Sequence, residues 1–327
     1  MSNENSKLEY ESGVTPYPMS ALTDSGDRTI FNSSANLFSE STGNSPVIRP
    51  DGILTGGVVS AAVSGSNDVI DVAALSCNLA GVETAVGSGV DTAVARAATD
   101  VASVSSITIT SAGAIAVVKG TDSTDTTIVE TRGAAGGPPF IPVGDIEIAQ
   151  VRTTSNVAGV ITAAQIFQTI GTHLEKADFP VYSVDNFTGK ITFNTALPAS
   201  HTAGVAKGIF ASYAQPVFTE QNFANDFVPS ETSHSVSSEQ VYGATVGSSS
   251  SSLGQGTFTA ILKDGITDNI IQRKNENLFF RFYQDKYKAP HILTQGKLGV
   301  GRTFGASDEP KVSCTISSSA ASTDRAS

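Results

Sequence analysis

The sequence predicts a mainly β protein, and three observations carry that reading. Short apolar stretches recur with a two-residue period, as in LFFRFY, where Phe280 and Phe282 fall on one face and Phe279 and Tyr283 on the other. The segments between such stretches, SGSND, GSG, GTDSTD and GAAGGPP, have turn compositions. Gly, Ser, Thr, Ala and Val dominate, aromatics make up 7% and Trp is absent, a palette suited to short strands and tight turns.

A length of 327 residues allows two domains, or one domain with a large insertion. Residues 1–50 lack a clear period and carry Pro16, Pro18, Pro46 and Pro50 among Ser, Asn and Gly, so they read as an extended N-terminal arm. The apolar residues Ile30, Phe31, Leu37 and Phe38 suit an arm that lies on a neighbouring surface. Residues 51–155 hold short β-like pieces such as GILTGGVVSAAV, DVIDVAALSCNLA, SSITITSAGAIAVVKG and DIEIAQVRT, and read as an additional β-rich domain. Within it, VDTAVARAATDVASV places Val90, Val94, Ala97 and Val101 on one helical face. Its Thr and Val content and its lack of caps favour strand and loop.

Residues 156–327 read as a second β domain with two short helices. One is expected near 162–170, with Thr162 as N-cap, and one near 266–276, with Thr267 or Asp268 as N-cap and Ile270 and Ile271 on one face. VYSVDNFTGKITF reads as a hairpin turning at Asn186 to Gly189. GSSSSSLGQG, at 247–256, reads as a loop that is either mobile or a contact loop in an assembly. LFFRFY and HILTQGKLGVGRTF read as a hairpin, because Pro290 forbids helix at the entry of the second segment while tolerating a strand start.

Charge narrows the classes of function. Only 16% of residues are charged, against about 25% in typical soluble domains, and the formal net charge is −11. No Lys/Arg run accompanies it, so the average surface repels phosphate backbones and a specific grip on DNA is not expected. The polar, acidic start MSNENSKLEYESG is no secretory signal, and no apolar run approaches the roughly 20 residues of a membrane span. Synthesis in a cytoplasm is therefore expected. Cys77 and Cys314 are the two cysteines; with nothing in the spacing to pair them, they read as buried thiols.

A search for catalytic chemistry finds none of its patterns. The sequence has no G-x-S-x-G, no G-x-x-x-x-G-K-[ST] and no complete G-x-G-x-x-G. His173, His201, His234 and His291 form no metal-binding spacing, and Asp122 with Asp125 or Asp264 with Asp268 lack the oxygen density of a calcium loop. No catalytic residue, metal ligand or cofactor site is assigned. Arg281, Lys286, Lys288, Lys297 and Arg302 make the one cationic cluster in an acidic chain. They are either ordinary surface charge or candidate contacts with an acidic patch of another subunit.

The stretch TFTAILKDGITDNIIQRKNENLFFRFYQDKYKAPHILTQGKLGVGRTFGASDEPKVSCTISSSAAS resembles the end of a bacteriophage major tail, or tail tube, protein: strand, short helix, strand, charged bend, then two strands before a Ser/Ala-rich tail. IPVGDIEIAQVRTTSNVAGVITAAQIFQ and RPDGILTGGVVSAAVSGSNDVIDVAALSCNLAG are similar to segments of phage virion structural proteins. The resemblance implies a β-sandwich or rolled-sheet core in 156–327. It also implies a non-enzymatic subunit that joins copies of itself in hexameric rings. Stacked in a phage tail beside other tail proteins, those rings would form an acidic duct through which genomic DNA passes without specific binding. The region before residue 155 departs from the smallest tube proteins and leaves the strand count and inter-ring contacts open. Two other readings stand beside this one: another virion structural role, as a capsid decoration or fibre-base protein, and an enzyme using converging carboxylates outside any known motif.

Overall fold

The computed structural model describes residues 5–98, 100–168, 181–201, 205–242, 244–262, 267–304 and 309–326. The chain is mainly β and forms several sheets, none of them closed. It divides into two compact units: Met1–Pro16, Leu37–Ser45 and Tyr213–Ser327 form the first, Tyr17–Asn36 and Pro46–Ser212 the second. The division cuts across the sequence segments 1–50, 51–155 and 156–327.

In the first unit one sheet runs in the order Ala224–Val228, Gly256–Ile261, Lys311–Ser317, His291–Thr303, Asn277–Tyr283, residues 7–16 of the strand Lys7–Ala21 and residues 213–220 of the strand Ile209–Glu220, and Thr323–Arg325 also pairs with His291–Thr303. LFFRFY and HILTQ form the expected antiparallel hairpin, with Phe280 opposite Thr294 and Leu278 opposite Gly296. Leu278, Phe279 and Phe280 are all buried, so this part of the strand is covered on both faces. In Lys311–Ser317 burial alternates strictly: Val312, Cys314 and Ile316 are buried, while Lys311, Ser313, Thr315 and Ser317 face water. The buried face joins Leu8, Tyr10, Phe258, Ala260, Ile270, Ile271, Phe280 and Leu298 in one apolar cluster. On the opposite side Phe38 packs against Tyr213 with ring centroids 4.8 Å apart. There the buried Glu11 carboxylate accepts hydrogen bonds from Ser39 Oγ, from Ser41 Oγ at 2.6 Å and from the Phe279 N–H at 3.1 Å. Burial pushes the Glu11 pKa up, against the pull of these donors.

The second unit is built from small antiparallel sheets. Gly89–Ala93, Val69–Val72 and Val59–Ala61 form one, Gly52–Gly56, Leu75–Leu79 and Val82–Val86 another. A third runs Ile115–Lys119, Ser103–Ile109, Ile146–Thr153 and Ile166–Gln168, and a fourth Tyr182–Asp185, Lys190–Phe193, Ile30–Asn32 and Thr23–Asp24. Residues 209–212 pair with Val47–Pro50. Every residue of Ser103–Ile109 is buried; Ser103 and Ser106 find buried partners, whereas Ser105 Oγ and Thr108 Oγ1 make no hydrogen bond. Ser106 Oγ donates to Glu147 at 2.5 Å, and Ser103 meets the Thr153 hydroxyl at 3.1 Å. Glu147, with no exposed side-chain surface, is neutralised by Arg132, whose other Nη donates to the Pro139 carbonyl at 2.7 Å. Ile107, Ile109, Ile146, Ile148 and Val151 join Ile70, Val72 and Cys77 in the core of this unit.

Several sequence expectations take a different form. Residues 1–50 are not a free arm: Lys7–Ala21 is a strand inside the main sheet, with Lys7 opposite Tyr283 and Tyr10 opposite Phe280. Only Leu8 and Tyr10 mark its buried face, so the flanking polar residues and prolines hid it. The helix expected near 162–170 is a single 3-10 turn, Ala163–Gln165, in which Gln165 Oε1 accepts the Thr162 N–H at 2.9 Å. Ile166–Gln168 then pairs with residues 149–151; β-branched and aromatic side chains here prefer the sheet. Residues 169–180, with the rest of that expected helix and His173, lie outside the described residues. The helix expected near 266–276 spans only Asn269–Gln272, capped by Asp268, whose carboxylate accepts the Ile270 N–H at 3.2 Å. Residue 266 and Asp264 lie outside the described residues. The described residues of 90–104 form strand ends and connection without a helix, and the hairpin at Asn186 to Gly189 forms with Asp185 opposite Lys190.

Arg132→Ala would leave the Glu147 charge buried without its cation. The expected loss is about 3–5 kcal/mol, read as a lower urea midpoint, and a loss below about 0.5 kcal/mol, the scale of ordinary surface substitutions, would contradict this account.

Candidate functional site

The five candidate contact residues do not form one cluster. His291–Thr303 is a continuous strand, and at about 3.4 Å per residue Lys297 lies about 20 Å beyond His291 and Arg302 about 37 Å. Lys297 stands exposed opposite Asn277, and Arg302 exposed opposite Val312. Arg281 is opposite Glu9 and its guanidinium lies 3.6 Å from the Phe218 ring centroid, a cation–π contact that fixes it against its own sheet. Lys286 and Lys288 sit at the bend, where the Lys288 ammonium is 3.4 Å from Asp285. Proximity in the sequence misled because a hairpin carries consecutive residues steadily away from its turn.

The bend encloses a cavity of about 340 Å³, lined by Phe282, Asp285, Lys288, Pro290, His291 and Arg325 among others. His291 stacks on Tyr283 at 5.0 Å, and burial pushes its pKa down. Charges of both signs line this space, so it can seat a polar side chain from outside but converges on no reacting atom. The other histidines are scattered: His201 is buried with Nε2 3.0 Å from the Asp145 carbonyl, and His234 is exposed. Asp122 pairs with Lys119 at 2.7 Å and Asp125 accepts the Thr127 N–H at 3.0 Å, both as turn carboxylates. Among the described residues no group of three His, Cys, Asp or Glu side chains is placed to hold a metal ion. Among the described residues no helix is long and apolar enough to cross a membrane.

The serine-rich segment, read from sequence as a loop, is a strand. Thr232–Val241 and Ala244–Leu253 pair antiparallel over ten residues each, without a register shift, as a two-stranded sheet of their own. Serine hydroxyls bridge the strands along one face: Ser233 to Ser252 at 2.9 Å, Ser235 to Ser250 at 2.7 Å and Ser237 to Ser248 at 2.7 Å. Residues 232–238 and 247–252 are exposed throughout, and Tyr242 at the tip is fully exposed. Serine has low strand preference, which concealed the ribbon. The available signal was two polar segments of equal length flanking a Tyr-Gly pair.

Compared with protein families, curated proteins and solved structures, the chain matches none. The assignment of a role therefore rests on geometry and sequence alone.

Cys77 and Cys314 are free thiols, one in the core of each unit. Burial raises their pKa to about 11 and about 12 respectively. At pH 8 neither should react with a disulfide reagent such as DTNB until the protein is unfolded, when both should. Rapid labelling of the native protein would contradict their burial.

Proposed function

We propose that this chain is a structural subunit of a phage tail tube, with a sandwich or rolled-sheet core that joins five copies of itself in a ring. Rings stack, beside other tail proteins, into a duct that conducts genomic DNA without binding it specifically. In this reading the protein is made in the host cytoplasm and resides in the virion, and it catalyses no reaction.

The observation that carries the reading is the wall-like main sheet of the first unit. Strict alternation puts Val312, Cys314 and Ile316 on the core and Lys311, Ser313, Thr315 and Ser317 on a bare outer face. Such a sheet offers an exposed face for packing copies together rather than a pocket for turnover. A net charge of −11 suits a duct, because like charge keeps phosphate from adsorbing.

Negative-stain electron microscopy of the concentrated protein, at low and moderate salt, tests the proposal. Rings or tubes with six subunits per layer are expected. A monomer or trimer that never polymerises would contradict it and favour the decoration or fibre-base reading.

A further inference from the structure

The ribbon of Thr232–Val241 and Ala244–Leu253 is at odds with its own stability. A two-stranded hairpin standing alone in water is marginal; a third strand, or burial of an apolar face, is normally required. Among the described residues this one has no third strand, and none of its side chains that are described joins either apolar core. Nor do its faces offer much to bury. Where its side chains are described, one face is the serine ladder, and the other carries Thr232, His234, Val236, Ser249, Ser251 and, at its base, the half-buried Leu253.

The remaining resource is its two edges. In an antiparallel ladder alternate residues turn their N–H and C=O groups away from the partner strand, so each edge presents a row of unmet donors and acceptors about 34 Å long at ten residues. Natural proteins guard such edges with brevity, bulges, proline or cations. The other described edges do so. The outer strand Ala224–Val228 has five residues, a register shift and a left-handed Asp226. Ile209–Glu220 carries Pro216, and the outermost strands of the small sheets are no longer than five residues. The ribbon between Thr232 and Leu253 contains no Lys, Arg or Pro and no bulge.

We infer that the two edges of this ribbon pair with the ribbons of adjacent copies of the same chain. Among the described residues no other sheet edge matches it in length and regularity, so the ribbon's own opposite edge is the fitting partner. Both edges are unguarded, and that selects the symmetry. A two-fold pairing of like edges would leave one edge of each ribbon open, whereas head-to-tail pairing around a closed ring satisfies both. Six ribbons so joined close into an antiparallel barrel, the arrangement that abolishes edges altogether. The inference rests on the ring reading proposed above and names the element that closes the ring.

Hydrogen–deuterium exchange on the full chain, dilute and assembled, tests it. In the dilute protein the outward half of the ribbon amides should exchange freely. On assembly the same amides should slow by at least about tenfold. A second protein, with residues 234–251 replaced by Asn-Gly, loses none of the described core side chains and should keep the thermal midpoint of the parent while failing to form rings. Rings whose ribbon amides still exchange freely, or rings formed by the shortened variant, would overturn the inference and leave the ring reading standing. Failure of the unaltered protein to assemble at any concentration would overturn both.

Discussion

The pairing of Lys7–Tyr10 with Phe280–Tyr283 organises the first unit, because it inserts the start of the chain between the distant strands Asn277–Tyr283 and Ile209–Glu220. Its register decides which side chains enter the core. Leu8 and Tyr10 face the cluster containing Phe258, Phe280 and Ile316, while Glu11 falls on the opposite face among Ser39, Ser41 and the Phe279 N–H. A slip of one residue would exchange those sets and drive a carboxylate into the apolar cluster, so the register is strongly specified. The same pairing holds Asn277–Tyr283 at the centre of the sheet, where Phe279 and Phe280 can both be buried. Such long-range closure also delays folding, since the entropy of a long loop is lost before its contacts form.

What the sequence made legible depended on local signals strong enough to survive any context. Dense aromatic alternation in LFFRFY, the proline that bars helix before HILTQ, and the Asn-to-Gly turn at 186–189 each specify their structure within a few residues. Lys7–Ala21 was hidden because two buried apolar side chains in a polar, proline-bearing stretch resemble an arm until the distant strand is known. The 3-10 turn after Thr162 carried a genuine capping signal, but Ile166 and Phe167 went to the sheet they pair with. The ribbon was hidden for the opposite reason: serine runs without apolar alternation, exposed over residues 232–238 and 247–252, do not mark a strand.

Charge misled in a related way. Five cations close in sequence look like one patch, yet a strand spreads them over tens of ångströms, and Arg281 is occupied by the Phe218 ring. The weight of the candidate site therefore moves from side-chain charge to backbone edges. That shift accords with a chain whose surface is polar but sparsely charged, and with a first unit whose exposed face in Lys311–Ser317 is mostly hydroxyl. Association through backbone hydrogen bonds in one fixed geometry needs no cationic patch, and ring closure limits growth in the plane where open edges would otherwise invite aggregation.

Native mass spectrometry of the protein across a concentration series tests the central claim most directly, because the stoichiometry reports whether both edges are used. Head-to-tail closure predicts a direct passage from monomer to hexamer and multiples of six, without a stable dimer. A dimer that persists as the end state would contradict it, since that is what pairing through a single edge would give.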